Sequence, residues 1–157
     1  MKLRLASITV LLSTLAFAQM DHDAQLNRRG DREMGFSHEK TTHRFTLNED
    51  GGTIEVRSND VKDTESRDEI RSHFKHIVQM FSAGDFNVPM LVHARKDVPG
   101  TAVMSKLKDQ LHWDLQDTTR GARITITADN EPALVAVHEF LRFQIADHKT
   151  GDCPMVR

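Results

Sequence analysis

Hydrophobic and polar residues alternate in two stretches of the chain, as they do in strands that bury one face. The first stretch runs from Thr42 to Arg57 and is interrupted by turn residues 48–52. The second begins at Leu111 and is interrupted by residues 117–121. The inward positions are His43, Phe45, Leu47, Ile54 and Val56 in the first stretch and Leu111, Trp113, Leu115, Ile124 and Ile126 in the second. The pattern predicts two β-hairpins, each with one buried face.

Each predicted hairpin is followed by apolar residues at helical spacing. The first helix is predicted over residues 63–83, with Gly84 placed to end it. The second begins after Asn130 as the N-cap and has Pro132 in its first turn. The apolar stripes are Ile70, Phe74, Ile77, Val78 and Phe81 on the first helix and Leu134, Val137, Leu141 and Ile145 on the second.

Two hairpins and two amphipathic helices bury their apolar faces most simply in one antiparallel sheet with both helices on the same face. The chain is therefore predicted to be an α+β protein built from two ββα units, residues 42–84 and 110–151. Together they form a four-stranded antiparallel sheet packed on one face by two helices. The connector, residues 85–109, is expected to contain a short edge strand at Val88–His93 and a short helix at Thr101–Lys108.

The two ends of the chain differ in composition from the predicted domain over residues 36–151. Residues 19–35 are polar and charged, and they predict a flexible N-terminal arm. Residues 152–157 form a C-terminal tail that holds the only cysteine, Cys153, which cannot form an internal disulfide.

The last helix carries more apolar surface than one contact requires. Phe140 and Phe143 fall on the side opposite its apolar stripe, so a second partner is needed. A homodimer through the C-terminal helix is the simplest solution. The connector around Val88–Val92, or the N-terminal arm, could instead cover the same side and leave a monomer.

The N-terminus has the three parts of a secretory signal peptide. Lys2 and Arg4 precede an apolar run from Leu5 to Phe17, which ends in the cleavage motif Ala16-Phe17-Ala18. We expect cleavage before Gln19, a periplasmic or secreted protein, and no membrane anchor, because the run is shorter than the roughly 20 residues that span a bilayer. The mature chain then has 19 basic against 23 acidic residues, a balance that does not favour a nucleic-acid partner.

Histidines and methionines are the candidates for ligand binding. His73, His76 and Met80 are spaced i, i+3 and i+7 on the first predicted helix, so they share one flank of it. Imidazole with thioether suits copper, and imidazole alone suits zinc. The alternative is that His76 is solvated while His73 and Met80 lie at the edge of the core.

Two further histidines could join such a site. His43 begins the first strand on its inward side, and His138 lies within the apolar stripe of the last helix. A site built from His43, His73 and His138 is geometrically possible. The competing interpretation of His138 is a buried, hydrogen-bonded structural histidine.

The sequence motifs of common enzyme classes are missing. The chain has no Gly-x-Ser-x-Gly, no glycine-rich phosphate loop, no His-Glu-x-x-His and no Cys-x-x-Cys. The pair His138-Glu139 begins like a zinc-protease motif, but the residue four positions after His138 is Arg142. Catalysis is therefore uncertain and disfavoured.

Several segments resemble a family of small exported bacterial proteins without an assigned function. They are Met34-Gly35-Phe36, Glu39–His43 with Phe45, Ala83–Phe86, and His138–Gln144. Members are sometimes labelled aspartate carbamoyltransferase, a label that this chain does not support. It is less than half the length of that catalytic subunit and lacks its Ser-Thr-Arg-Thr-Arg run, for which the nearest candidate is Glu65-Ser66-Arg67-Asp68. The resemblance implies a fold and no reaction.

Three functions remain open on the sequence. The first is an exported binding module that holds a metal ion, copper or zinc, or a small ligand through histidine and methionine side chains. The second is a non-catalytic dimerising interaction domain with structural histidines. The third is a small enzyme of unrecognised type.

Overall fold

The computed structural model describes residues 23–157. The predicted signal peptide over residues 1–18 and its cleavage point before Gln19 lie outside the described residues. Within residues 23–157, no helix is both long enough and apolar enough to cross a membrane.

The two predicted hairpins are present and join into one sheet. The strands are β1 (Thr41–Asn48), β2 (Gly51–Ser58), β3 (Leu111–Thr118) and β4 (Gly121–Ala128). Their order is β1-β2-β4-β3, and all three pairings are antiparallel. His43 pairs with Val56 across the first hairpin. The inward-facing residues of the two central strands, including Val56, Ile124 and Ile126, are fully buried.

Long helices follow both hairpins. Helix α2 (Thr64–Ser82) has Asp63 as its N-cap, and the Asp63 carboxylate accepts a hydrogen bond from the Ser66 backbone amide. Helix α5 (Glu131–His148) begins at Asn130, whose side chain accepts from the Ala133 amide at 3.0 Å, as the sequence predicts.

Both long helices pack on the same face of the sheet. Helix α2 contacts mainly β4 and β3, whereas α5 contacts β1, β2 and β4. Phe74 and Phe81 of α2 and Leu141 of α5 belong to one continuous hydrophobic core. The predicted α+β architecture, two ββα units forming a four-stranded antiparallel sheet with helices on it, is confirmed.

The connector differs from the expected edge strand. Residues 87–93 form a short helix, α3 (Asn87–His93), and Thr101–Lys106 form the expected second helix, α4. A 3-10 turn at Lys108–Gln110 leads into β3. Pro89 lies in the first turn of α3, where a missing amide hydrogen costs nothing. Close packing of α4 on α5 requires Gly100, since a Cβ there would lie 2.1 Å from the Ala136 carbonyl oxygen.

The connector covers the side of α5 that the sequence left apolar. Phe140 is only 2% exposed and packs edge-on against Phe81 and Phe86. Phe143 is half-buried between the His93 ring and the Arg95 guanidinium. The prediction that Phe140 needs a second partner is therefore wrong, because Phe81 and Phe86 of the same chain cover its ring.

The N-terminal segment also differs from the expected flexible arm. Residues 23–34 are helical, and we call this helix α1. Leu26 and Gly30 are buried, and Met34 packs against the core. These three residues recur every four positions, so they give α1 one narrow apolar stripe. Arg29 Nε donates to the Val92 carbonyl oxygen of α3 at 2.8 Å, which fixes α1 against the connector.

The C-terminal tail runs beside the free edge of β1. Asp152 Oδ2 accepts a hydrogen bond from the Phe45 amide at 2.9 Å, and Arg157 donates its amide to the Leu47 carbonyl oxygen at 3.0 Å. Val156 forms an isolated parallel bridge with Leu47. Cys153 lies in this segment as a partly exposed free thiol.

Candidate functional site

A small cavity lies between the sheet and its covering helices, beneath α1 and α3. Its volume is about 80 Å³. Most of its lining is apolar or aromatic, including Phe45, Ile77, Val92, Phe140 and Ile124. Four histidines and one glutamine complete it: His43, His73, His93, His148 and Gln144. We call this cavity the inner chamber.

The histidines converge from four different elements. His43 comes from β1, His73 from α2, His93 from the end of α3 and His148 from the end of α5. The His43 and His148 rings are stacked, with centroids 5.6 Å apart and planes 5° from parallel. The His93 ring meets His148 edge-on at 4.9 Å. His73 and His43 both contact the ring of Phe36.

Burial keeps three of these imidazoles neutral at physiological pH. The pKa of His43 is lowered to about 4 by burial and, to a smaller extent, by nearby His38. The pKa of His73 is lowered to about 4 by burial and by the neighbouring His43 and His76. The pKa of His148 is lowered to about 3 by burial and by His43 and His93. Each neutral ring offers one donor and one acceptor nitrogen.

His93 is held on both ring nitrogens. Nδ1 lies 2.6 Å from Asp147 Oδ2, and Nε2 lies 3.1 Å from the nearer terminal atom of the Gln144 amide. The carboxylate is positioned to accept the Nδ1 proton and so fix the ring orientation. Nε2 of the same ring is then an acceptor, and the Gln144 amide, whose oxygen and nitrogen positions are interchangeable, is oriented to donate its NH2 group to it.

The amide of Gln144 is incompletely bonded. The residue is 5% exposed, and its other terminal amide atom is buried with no hydrogen-bond partner among the described residues. A buried polar atom without a partner costs about 1–3 kcal/mol. A ligand or water in the chamber would remove this cost.

A second cavity adjoins the first on the side of α1. Its volume is about 300 Å³, and we call it the outer chamber. Met34, His43 and His148 line both chambers and therefore form their common wall. The rest of the outer lining is largely polar and includes Asn27, His38, Thr41, Thr42 and Thr150.

The structure brings together only part of the set predicted from sequence. His43 and His73 both line the inner chamber. His76 is exposed on α2, and Met80 is half-buried against the core. His138 lies apart: its Nε2 is 2.9 Å from the carbonyl oxygens of both Asn48 and Gly51, so it bridges the ends of β1 and β2.

Three members of the site were not selected from the sequence. His93 lies at the end of the segment that was predicted as an edge strand, and His148 was not among the candidate ligands. Gln144 gave no signal beyond its place on an amphipathic helix. The available signal was the spacing of Gln144, Asp147 and His148 within one turn at the end of α5, which places all three near one side of the helix.

Within the described part of the chain, no group of three or more histidine, cysteine, aspartate or glutamate side chains is arranged to hold a metal ion. The predicted copper or zinc site stays a prediction. Comparisons with protein-family models, with curated proteins and with solved structures found no match. The geometry of the two chambers is therefore the basis for assigning a function.

Proposed function

We propose that this protein is an exported binding module that holds a small uncharged organic ligand in the inner chamber. The observation that carries the proposal is the buried terminal amide atom of Gln144, which lacks a partner beside a cavity lined by His43, His73 and His148, whose pKa values are lowered. Binding sites are typically apolar pockets with a few converging polar groups, and this chamber has that composition.

The volume of the chamber limits what it can hold. At about 80 Å³ it exceeds the roughly 10–15 Å³ that one water requires. It is about half the size of an engineered cavity of roughly 150 Å³ that accepts benzene. A short alkyl group with one hydrogen-bonding atom fits this space, and an aromatic ring requires expansion.

Neutral imidazoles favour an uncharged ligand. A charged group in the chamber would lose its hydration, and the rings of His43, His73 and His148 carry no compensating charge at neutral pH. The ligand should instead form a hydrogen bond with the unpartnered amide atom of Gln144 and exchange hydrogen bonds with imidazole nitrogens.

The proposal is tested on protein produced with its leader and purified from the periplasm. Native mass spectrometry and elemental analysis report any organic ligand, any metal and the processed N-terminus together. The emptied protein is then titrated with 1-butanol, and its melting temperature is followed. We expect the melting temperature to rise with butanol concentration, because a ligand that binds only the folded state stabilises it.

Two matched pairs of variants locate the binding. Gln144→Leu should abolish the butanol response, whereas Gln116→Leu, on an exposed strand position, should retain it. His73→Ala should weaken the response, and His76→Ala, three residues further along the same helix, should not. A chamber that holds only water, with no response to butanol in the unmodified protein, would overturn the proposal. Stoichiometric copper or zinc lost on His73→Ala would establish the metal form of the module instead.

A further inference from the structure

The inner and outer chambers differ in polarity but share one wall. Met34, His43 and His148 contribute to both linings. On the inner side the neighbours of this wall are side chains such as Phe45 and Val92. On the outer side they are amide, hydroxyl and imidazole groups, such as Asn27, Thr150 and His38. A molecule that occupied both chambers would therefore be apolar at one end and polar at the other.

We infer that the ligand is a short amphiphile whose apolar end fills the inner chamber and whose uncharged polar end lies in the outer chamber. This inference rests on the proposed binding function and specifies its ligand class. The inner volume of about 80 Å³ limits the apolar end to a few carbon atoms. The outer volume of about 300 Å³ accepts a larger head bearing several hydroxyl or amide groups.

The outer lining argues for a head without formal charge. Among the described residues, no lysine, arginine, aspartate or glutamate lines the outer chamber. The histidines of the common wall are kept neutral by their burial. His38, the remaining imidazole, has its Nδ1 within 2.9 Å of both Asp31 carboxylate oxygens. A charged head would find no opposite charge in the lining, whereas a polyol or amide would find donors and acceptors.

One side chain of the common wall, Met34, is conformationally flexible. Met34 is unbranched with three rotatable bonds, and such side chains readily adopt new conformations. It lies at the end of α1, where the helix gives way to Gly35 with φ of 79°. We expect a change of Met34 rotamer to widen the passage between the chambers, because Met34 lines both of them.

Four probes with the same butyl tail test the inference on the full mature chain by calorimetric titration. 1-Butanol has almost no head, and 3-butoxypropane-1,2-diol has an uncharged diol head. Butyl phosphate is an anion, and butyltrimethylammonium is a cation. We expect the diol to bind at least about tenfold more tightly than 1-butanol, as two added neutral hydrogen bonds permit. Both charged probes should bind more weakly than the diol.

A matched pair of isosteric variants tests whether the polar end of the ligand lies in the outer chamber. Thr150→Val removes a hydroxyl from the outer chamber, and we expect it to weaken diol binding by about fivefold while leaving butanol binding unchanged. Thr125→Val removes a hydroxyl from the opposite face of the sheet and should change neither. If Thr150→Val fails to fold, Asn27→Leu serves as the outer-chamber variant.

The outcomes separate this inference from the function that it assumes. If 1-butanol binds and the diol binds no more tightly, the inference that one ligand occupies both chambers is wrong, whereas the proposed binding function is retained. If a charged probe binds most tightly, the uncharged head is wrong. If no probe binds, both proposals fall. A tenfold gain that survives both Thr150→Val and Asn27→Leu would place the head outside the outer chamber and overturn the inference.

Discussion

The rings of His43 and His148 lie nearly parallel with centroids 5.6 Å apart, although the residues are 105 positions apart in sequence and on different elements. Both residues are half-buried, and burial lowers their pKa values to about 4 and about 3. Two stacked imidazoles cannot both accept a proton without placing like charges in contact in a poorly solvated space. This pair therefore links the integrity of the site to pH.

We predict that stability falls as the pH is lowered from about 6.5 towards 4. In that window the unfolded chain takes up protons on His43, His73 and His148, whereas the folded chain does not, so protonation favours unfolding. Lowering a histidine pKa from 6.5 to about 4 corresponds to about 3 kcal/mol at the acid end of the window. Urea denaturation at pH 7.5, 6 and 4.5 measures the effect.

The variant His148→Phe keeps an aromatic ring in the stack and removes its proton site. It should therefore lose less stability on acidification than the unmodified protein. His76→Phe changes an exposed histidine of α2 and should leave the acid dependence unaltered. Equal acid sensitivity in the unmodified protein and in His148→Phe would show that this ring does not control the transition.

We predict that His138→Ala destabilises the protein by about 1–3 kcal/mol without changing ligand affinity. Its Nε2 bridges two carbonyl oxygens at the first hairpin turn, and those buried acceptors would lose their partner. Chemical denaturation gives the stability change, and the butanol response gives the affinity. His112→Ala is the control, since that ring is largely exposed beside Asp129. A loss of bound metal or ligand in His138→Ala would return this residue to the site.

We predict that Phe140→Ala lowers the free energy of unfolding by about 3–5 kcal/mol, the cost of emptying a well-packed core position. Phe143→Ala should cost less, about 1 kcal/mol, because that ring is only half-buried. Denaturation curves measure both. Sedimentation of the unmodified protein tests the predicted homodimer separately. A Phe140→Ala variant that is fully stable but loses self-association would show that the ring serves an interface instead.

We predict that Met34→Ala accelerates ligand exchange. Met34 lies in the wall common to both chambers, and truncation of its side chain opens the passage between them. Stopped-flow detection through the single tryptophan, Trp113, which packs on Phe81 of the inner lining, measures the rates. Met80→Ala shortens a methionine that lines neither chamber and is the control. Unchanged association and dissociation rates in Met34→Ala would place the entrance elsewhere.

The sequence predicted the elements in which apolar residues alternate with polar ones or recur at helical spacing. Phe45 and Leu47, or Ile124 and Ile126, fall on one side of a strand because the side-chain period is two. The segment Val88–His93 was predicted as a strand and is helical, since a short apolar run is compatible with either a strand or a buried helix. Helix α1 was missed because its apolar stripe is only one residue wide.

The site was less predictable than the fold. His43 and His73 were identified because each sits at the edge of a periodic apolar face. Their convergence with His93 depends on α3 turning back over the sheet, and contact with His148 depends on where α5 ends. Such contacts arise from packing between elements distant in sequence, which local periodicity does not encode.

Each of the two long helices packs mainly on the strands of the other ββα unit. Helix α2 follows the first hairpin but packs mainly on β3 and β4, whereas α5 follows the second hairpin and reaches back over β1 and β2. A fragment cut in the connector would carry α2 without the strands that α2 mainly covers. Each half therefore lacks the strands that its own long helix mainly covers, and the core closes only when both halves are present.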